Sequence, residues 1–426
     1  MPPVLPAENE NSPAVAQGPH PLVRGTPAYR RMSLGLLTAG FTTFSLLYGV
    51  QPLLPLFTTE FNLTAAEASL AVSFATGPMA VAILVAGIIS DRVGRRPLMV
   101  ASLFSAALLT IASAVLPGWH MLLAMRFLTG VALAGVPAIA MAYIAEEVDG
   151  PSIGAAMGLY IAGSAIGGMA GRLGVSVLTQ LFGWRLGLGG IGVTALLAAI
   201  LFWRAVPHSR GFVPRRHDLR SLGAGALRIF TDAALPLLYA EAFLLMGIFV
   251  TVYNYVGFRL LAPPYSLSHA AVGAIFLLYI VGSFSSAWVG ALAGRLGRRK
   301  TFWAPIVALI IGIALTAAGP LAVIILGIGV VTAGFFGAHS VASSWVSRRA
   351  RADRGQASSF YLLFYYLGSS ILGSVGGVAW SHDKWPGVAV FSAVLGVAAL
   401  GIAVRLIGVK PLADPVEPAR HPVPAG

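Results

Sequence analysis

Gly87-Ile88-Ile89-Ser90-Asp91-Arg92-Val93-Gly94-Arg95-Arg96 and Gly290-Ala291-Leu292-Ala293-Gly294-Arg295-Leu296-Gly297-Arg298-Arg299 are one motif written twice, 203 residues apart. Each closes a long apolar run, turns at a glycine and ends in paired arginines. A second pair lies at an offset of 205: Tyr160, Gly163, Ser164, Ile166, Gly168 and Gly171 recur as Tyr365, Gly368, Ser369, Ile371, Gly373 and Gly376. Two unrelated motifs at nearly one offset make the chain a duplication. The 203 spacing also pairs Gln51 with Asn254.

Outward from these loops the chain is too apolar to live in water. Of its 426 residues 57% are hydrophobic and 10% charged, and mean hydropathy is +0.83. Soluble domains run at about 45–50% apolar and about 25% charged. A spanning helix needs about 20 mostly apolar residues. Twelve such runs are expected, near 33–56, 68–90, 97–116, 120–144, 154–180, 185–204, 235–258, 271–292, 301–319, 321–346, 357–380 and 388–407. Strand-like alternation is missing, which argues against an outer-membrane barrel. The absence of cysteine excludes disulfides, thiolate metal sites and thiol nucleophiles.

The net charge of +13 is not a nucleic-acid signature, because the basic residues do not share one binding face. With an even number of spans, 23 Lys and Arg fall on the side of the termini and three, Arg185, Arg259 and Lys384, on the other. The positive-inside rule then puts the termini in the cytoplasm. Residues 1–30 and 409–426 read as disordered cytoplasmic tails. Six spans in 31–204 and six in 234–408 make two lobes, joined by a cytoplasmic linker over 205–233. Within that linker, Asp218 to Phe230 suits an amphipathic helix on the inner leaflet, or a plain connection.

The loop Gly87…Asp91-Arg92-Val93-Gly94-Arg95-Arg96 closely resembles the signature loop of the major facilitator superfamily, and its reduced copy is similar to that family's second loop. Arg126-Phe127-Leu128-Thr129-Gly130 resembles the arginine motif of its fourth helix. Gly158 to Arg172, Glu241 to Met246, Tyr253-Asn254-Tyr255 and Gly334 to His339 look like the YnfM-like inner-membrane transporters of that superfamily, a group close in type to the drug:proton antiporters. The resemblance covers residues 30–410 and implies an all-α integral membrane fold with twelve transmembrane helices in two six-helix lobes, both termini cytoplasmic. The bacterial inner membrane is the expected location.

The resemblance assigns Asp91 as a conformational latch. In the family this acid caps a helix N-terminus of the opposite lobe and locks the outward-facing state, with Gly87, Arg92, Gly94, Arg95 and Arg96 completing the loop. The second copy has Gly294 in place of the acid. A carboxylate at a helix N-terminus stabilises by about 0.3–2 kcal/mol. Helix 5 carries a packing tract, Gly163, Gly167, Gly168, Gly171 and Arg172, because small residues four apart let helices approach. Antiporters of the superfamily have a Gly-Pro where this chain has Gly167-Gly168.

Ionisable groups within spans are costly and therefore informative, and there are four: Arg126, Arg172, Glu241 and His339. Glu241 and His339, at similar depth in spans 7 and 10, and Arg126 in span 4 are candidates for proton coupling. Helices 1, 4, 7 and 10 line the family's cavity. Tyr48 and Gln51 on span 1 and Tyr253 and Asn254 on span 7 are the cavity candidates, suited to a small neutral or weakly polar solute. The aromatic run Phe360, Tyr361, Phe364, Tyr365 and Tyr366 fits lipid contact or core. Thr64 and Glu67 form a capping-box pattern.

These features favour a secondary active transporter working by alternating access, as a proton-coupled efflux antiporter. Proton-linked uptake of a sugar or small metabolite is the alternative. A channel needs neither latch nor duplication. An enzyme is not expected: HExxH and paired intramembrane carboxylates are absent. Walker sequences are absent, so ATP is not the energy source. Neither cofactor nor metal is implied. The expected partners are a small-molecule substrate, protons and the lipid bilayer, with the protein acting as a monomer.

Overall fold

Thr26 opens the first helix: its hydroxyl accepts from the Tyr29 N–H, and Pro27 takes the position where a missing N–H costs nothing. The structure is a computed structural model and describes residues 21–209, 212, 219–350 and 353–410. The chain is ordered earlier than the expected tail boundary at residue 30. Leu22 bridges to Val148, and its N–H donates to the Glu147 carbonyl at 2.8 Å. Buried Leu22 supplies the apolar anchor that a polar tail lacks. Residues 1–20 and 411–426 lie outside the described residues.

Helices follow one another throughout. In the first half they are α1 Pro27–Tyr48, α2 Leu54–Glu60, α3 Ala65–Val93, α4 Arg95–Val115, α5 Trp119–Leu133, α6 Pro137–Glu147, α7 Ile153–Phe182 and α8 Trp184–Ala205. A connecting helix α9 spans Leu219–Thr231. The second half has α10 Leu235–Leu261, α11 His269–Ala274, α12 Tyr279–Leu296, α13 Arg298–Thr301, α14 Trp303–Thr316, α15 Leu321–Arg349 and α16 Arg354–Ile407. Among the described residues there is no β-sheet, and eleven helical segments are long and apolar enough to cross a membrane.

Several of these segments are broken where the sequence removes an N–H or a side chain. Pro52 and Pro55 interrupt α1–α2 through a short 3-10 turn at Gln51–Leu53. Pro137 separates α5 from α6. The 54-residue α16 is interrupted at Asp383 and Lys384, whose φ/ψ of −141/33 and 48/−134 leave the helix.

The duplication is visible in local geometry. Thr64 caps α3 in a full capping box with Glu67, and Ser268 caps α11 through the Ala271 N–H. Gly94 and Gly297 turn both signature loops with φ of 104° and 93°, a region open to glycine. Apolar side chains cover the outer faces: Phe284 is 74% exposed, Trp288 69% and Leu197 62%. Apolar exposure on this scale fits lipid, not water.

Candidate functional site

The signature loop is tied within its own half. Arg95 pairs with Asp91 at 2.5 Å and with Glu146, at the end of α6, at 2.8 Å. Arg96 donates to the carbonyls of Trp203 and Val206 at 2.6 and 2.7 Å, closing the C-terminal end of α8. Arg92 is exposed, and a Cβ on Gly87 would meet open space. Asp91 is thus paired with an arginine of its own half.

The helix-5 glycines fit one row of backbone. A Cβ on Gly163, Gly167 or Gly171 would strike Leu37, Phe41 or Ser45 on α1, also four residues apart. Only hydrogen at those positions permits this approach. Ser45 Oγ donates to the Gly167 carbonyl at 2.9 Å. The second half repeats the joint: Gly368 faces Phe243, Gly376 faces Thr251, and Thr251 Oγ1 donates to the Leu372 carbonyl at 3.0 Å. These contacts correct one expectation. Leu37 corresponds to Phe243 and Ser45 to Thr251, so α1 and α10 match at an offset of 206. Asn254 is then the counterpart of Tyr48, not of Gln51. The proline-broken stretch after Tyr48 has no copy in α10, so the loop offset does not carry over.

Gln51 and Asn254 nevertheless meet. Gln51 Nε2 donates to Asn254 Oδ1 at 2.7 Å, and Gln51 Oε1 accepts from Arg172 Nε at 2.7 Å. Arg172 leaves the glycine seam and lies over three rings, Tyr48, Phe276 and Tyr279, at 4.7, 5.0 and 5.1 Å from their centroids. Its Nη1 donates to the Gly168 carbonyl at 2.5 Å. Around it the halves are zipped by hydroxyls: Tyr48 and Ser369 at 3.3 Å, Ser73 and Ser374 at 2.6 Å, and Ser73 to the Ser370 carbonyl at 2.8 Å. Further out, the Ala270 N–H donates to Gln180 Oε1 at 2.9 Å. These hydrogen bonds between the halves lie in the part of the bundle away from the signature loops. Tyr253 stays within the second half, bonded to Thr332 Oγ1 at 2.7 Å and stacked on Phe276.

The remaining ionisable candidates separate. Arg126 is wholly buried and reaches three carbonyls: Ala71 from Nε at 2.8 Å, Leu46 from Nη1 at 2.7 Å and Leu47 from Nη2 at 2.5 Å. It closes the frayed end of α1. Glu241 is also wholly buried, and neither carboxylate oxygen has a hydrogen-bond partner. His339 bonds through Nδ1 to the Tyr361 hydroxyl at 2.9 Å and stacks on Phe335. Glu241 and His339 are thus not joined by a hydrogen bond among the described residues.

A two-half, all-helical bundle with this loop matches the Major Facilitator Superfamily profile over residues 36–329. The chain belongs to that superfamily. It is 47% identical to the inner membrane transport protein YnfM of Escherichia coli K12, over 94% of this chain and 96% of that protein. It is 45% identical to the uncharacterized MFS-type transporter YybF of Bacillus subtilis 168, over 86% and 90%. A crystal structure of a point mutant of the nucleoside transporter NupG shares the fold with TM-score 0.71 at 17% identity, covering 88% of this chain and 99% of that one. The superfamily and these relatives are transporters rather than enzymes, and the chain is a multi-pass membrane protein.

Within this major facilitator fold, the expected cavity residues Tyr48, Gln51 and Asn254 do come together. Arg172 is the member that sequence reading placed elsewhere, as part of the packing seam. Its position one residue beyond Gly171 hid that its side chain points off the seam. Its charge marks it among the four ionisable groups of the spans, but charge alone does not say what the side chain faces.

Proposed function

We propose that this superfamily member is a secondary active transporter that carries a small organic solute by alternating access, as a monomer in the bacterial inner membrane, with protons driving export. Twelve crossings follow if α16 is two spans, broken at Asp383 and Lys384; at 1.5 Å per residue its 54 residues are far too long for one. With that count, residues 31–204 and 234–408 are the lobes, 205–233 the linker, and both termini are cytoplasmic, in keeping with the arginine asymmetry.

The observation that carries the reading is the one-sided closure. The lobes are hydrogen-bonded through Tyr48, Gln51, Ser73 and Gln180 on the outer side, while Asp91 is held by Arg95 in its own lobe. The outer-side bonds are the arrangement expected of a carrier closed on that side. In the opposite state Gln51 and Asn254 would part. Glu241 lies about two turns inside α10 from the cytoplasmic end, where a proton taken up in one state is released in the other.

A single cysteine at Gln51 in this cysteine-free chain tests the reading. Its labelling from the outer side should rise and fall as a proton gradient is imposed and collapsed across vesicles. Labelling that never responds to a gradient or to any solute would overturn alternating access at this site. Reversing the gradient in the same vesicles distinguishes export from uptake.

A further inference from the structure

Arg172 brings a positive charge into the lobe boundary, and nothing anionic answers it. Among the described residues its partners are the Gln51 amide oxygen, the Gly168 carbonyl and three aromatic faces. No Asp or Glu is hydrogen-bonded or ion-paired to it. Glu241, the acid within α10, is 13 residues from Asn254, about 20 Å along the helix axis. Arg126 does not compensate either, since it is a second cation spent on carbonyls.

The polarity of the cluster is fixed. Arginine can only donate, so Gln51 must offer it Oε1 and turn Nε2 to Asn254. When the lobes part, the Gln51–Asn254 bond breaks. The groups then released are the amide N–H₂ of Gln51 and an arginine fork in a frame of rings. Donors beside a cation recognise a carboxylate; the rings of Tyr48, Phe276 and Tyr279 recognise an apolar or aromatic body.

We propose that the site closed by Gln51 and Asn254 takes a small organic monocarboxylate with an apolar or aromatic body, whose carboxylate is held by Arg172. This rests on the transporter reading and puts an anion where the cavity candidates alone suggested a neutral or weakly polar solute. The arginine balances its charge with cargo in the open state and with ring faces in the closed one, so an empty carrier has a reason to close.

The test uses the purified full-length chain in lipid nanodiscs and three pairs of probes: benzoate and benzamide, phenylacetate and phenylacetamide, salicylate and salicylamide. Thermal unfolding is followed against probe concentration. The acids should raise Tm with half-saturation about tenfold or more below that of the amides. Arg172→Gln should abolish the difference and Arg172→Lys should keep part of it. Amides that act as well as the acids, an acid effect unchanged in Arg172→Gln, or no shift from any of the three acids would overturn the proposal. If Arg172→Gln does not fold, the acid–amide comparison on the unaltered chain still decides. A responsive Gln51→Cys label alongside absent acid binding would remove the substrate class and leave the transport reading standing.

Discussion

Gln51 and Asn254 bond side chain to side chain across the two lobes, Nε2 to Oδ1 at 2.7 Å, with Arg172 behind Gln51 setting the direction of the pair. Both amides are essentially buried, so an unmade bond here would cost about 1–3 kcal/mol per orphaned group. The closed boundary combines close helix packing of α3 on α16 with directional contacts between side chains. Such contacts can be exchanged as a set, which a continuous apolar interface does not allow.

The closest of these contacts is Ser73 Oγ to Ser374 Oγ, 2.6 Å apart. Oxygens that near place the two β-carbons close to the range a disulfide requires, about 3.5–4.5 Å. The double variant Ser73→Cys, Ser374→Cys should cross-link almost completely on mild oxidation. Transport should stop in the oxidised protein and return on reduction. Full activity with the cross-link in place would mean that this boundary does not open.

The glycine seam makes a sharper demand on packing than composition suggests. A methyl on Gly163 would overlap the Leu37 backbone, whereas one on Gly158, a turn earlier, would meet open space. Gly163→Ala should lower stability by about 1–3 kcal/mol, the usual cost of overpacking. Gly158→Ala should be neutral or slightly stabilising, since it only removes helix-interior glycine. Thermal unfolding of the two variants side by side checks the contrast; equal behaviour would contradict the seam.

Much of this was readable from residues alone, and what was not has a physical reason. Apolar runs and loop arginines mark helices and sidedness because both respond to the bilayer directly. The Thr64–Glu67 cap was legible because capping is local. The break at Asp383 falls in the gap between the expected runs 357–380 and 388–407, whereas the one before Pro137 falls inside the single expected run 120–144, and a Cβ at the adjoining Gly135 would strike Ser102 on α4. The Gln51–Asn254 match was reached from an offset that fails in these helices, yet the two residues do touch. The Arg172 cluster was missed because seam and site share one helix, and only the direction of a side chain separates them.

Arg126 was grouped with proton coupling by resemblance, but its surroundings favour a structural clamp. All three of its nitrogens lie on carbonyls of α1 and α3, and the cation sits where the α1 dipole is negative. Lysine reaches fewer of these carbonyls with a single ammonium. Arg126→Lys should lose about 2–4 kcal/mol of stability, by orphaning one or two carbonyls. Protein that survives should keep the pH dependence of transport. A shifted pH profile at unchanged stability would restore the proton-coupling assignment.

Asp232 gives a pH signature outside the spans. Burial pushes its carboxyl up, but Arg349 at 2.6 Å and the N–H groups of Ala234 and Leu235 outweigh burial and hold it below the usual carboxylate range. A depressed value means the stabilisation is complete above the ordinary aspartate pKa and is lost as pH falls through the folded value. Asp232→Asn keeps the cap and removes the charge, and should cost about 1 kcal/mol, roughly 2 °C in Tm. That difference should stay constant from pH 8 to about 5 and close below about pH 4. A gap that widened on acidification would contradict the sign.

Glu241 carries the heaviest expectation because it has the fewest partners. It is fully buried, and among the described residues both of its oxygens lack hydrogen bonds. An ionised carboxylate costs up to about 2.5–3.5 kcal/mol at the centre of a bilayer and less nearer its edge, and among the described residues no hydrogen bond to Glu241 offsets that cost. A site that is dry in one state and wet in the other binds a proton in the first and gives it up in the second. Glu241→Gln removes the exchangeable proton while conserving shape. Solute counterflow, which needs no driving force, should persist within a few-fold of the unaltered chain. Accumulation against a gradient under an imposed pH difference should fall to equilibration. Because the glutamine leaves no charge to bury, the variant should unfold at the same temperature or higher at neutral pH. Concentrative, proton-driven transport in Glu241→Gln would assign coupling elsewhere, with His339→Gln as the next variant to measure.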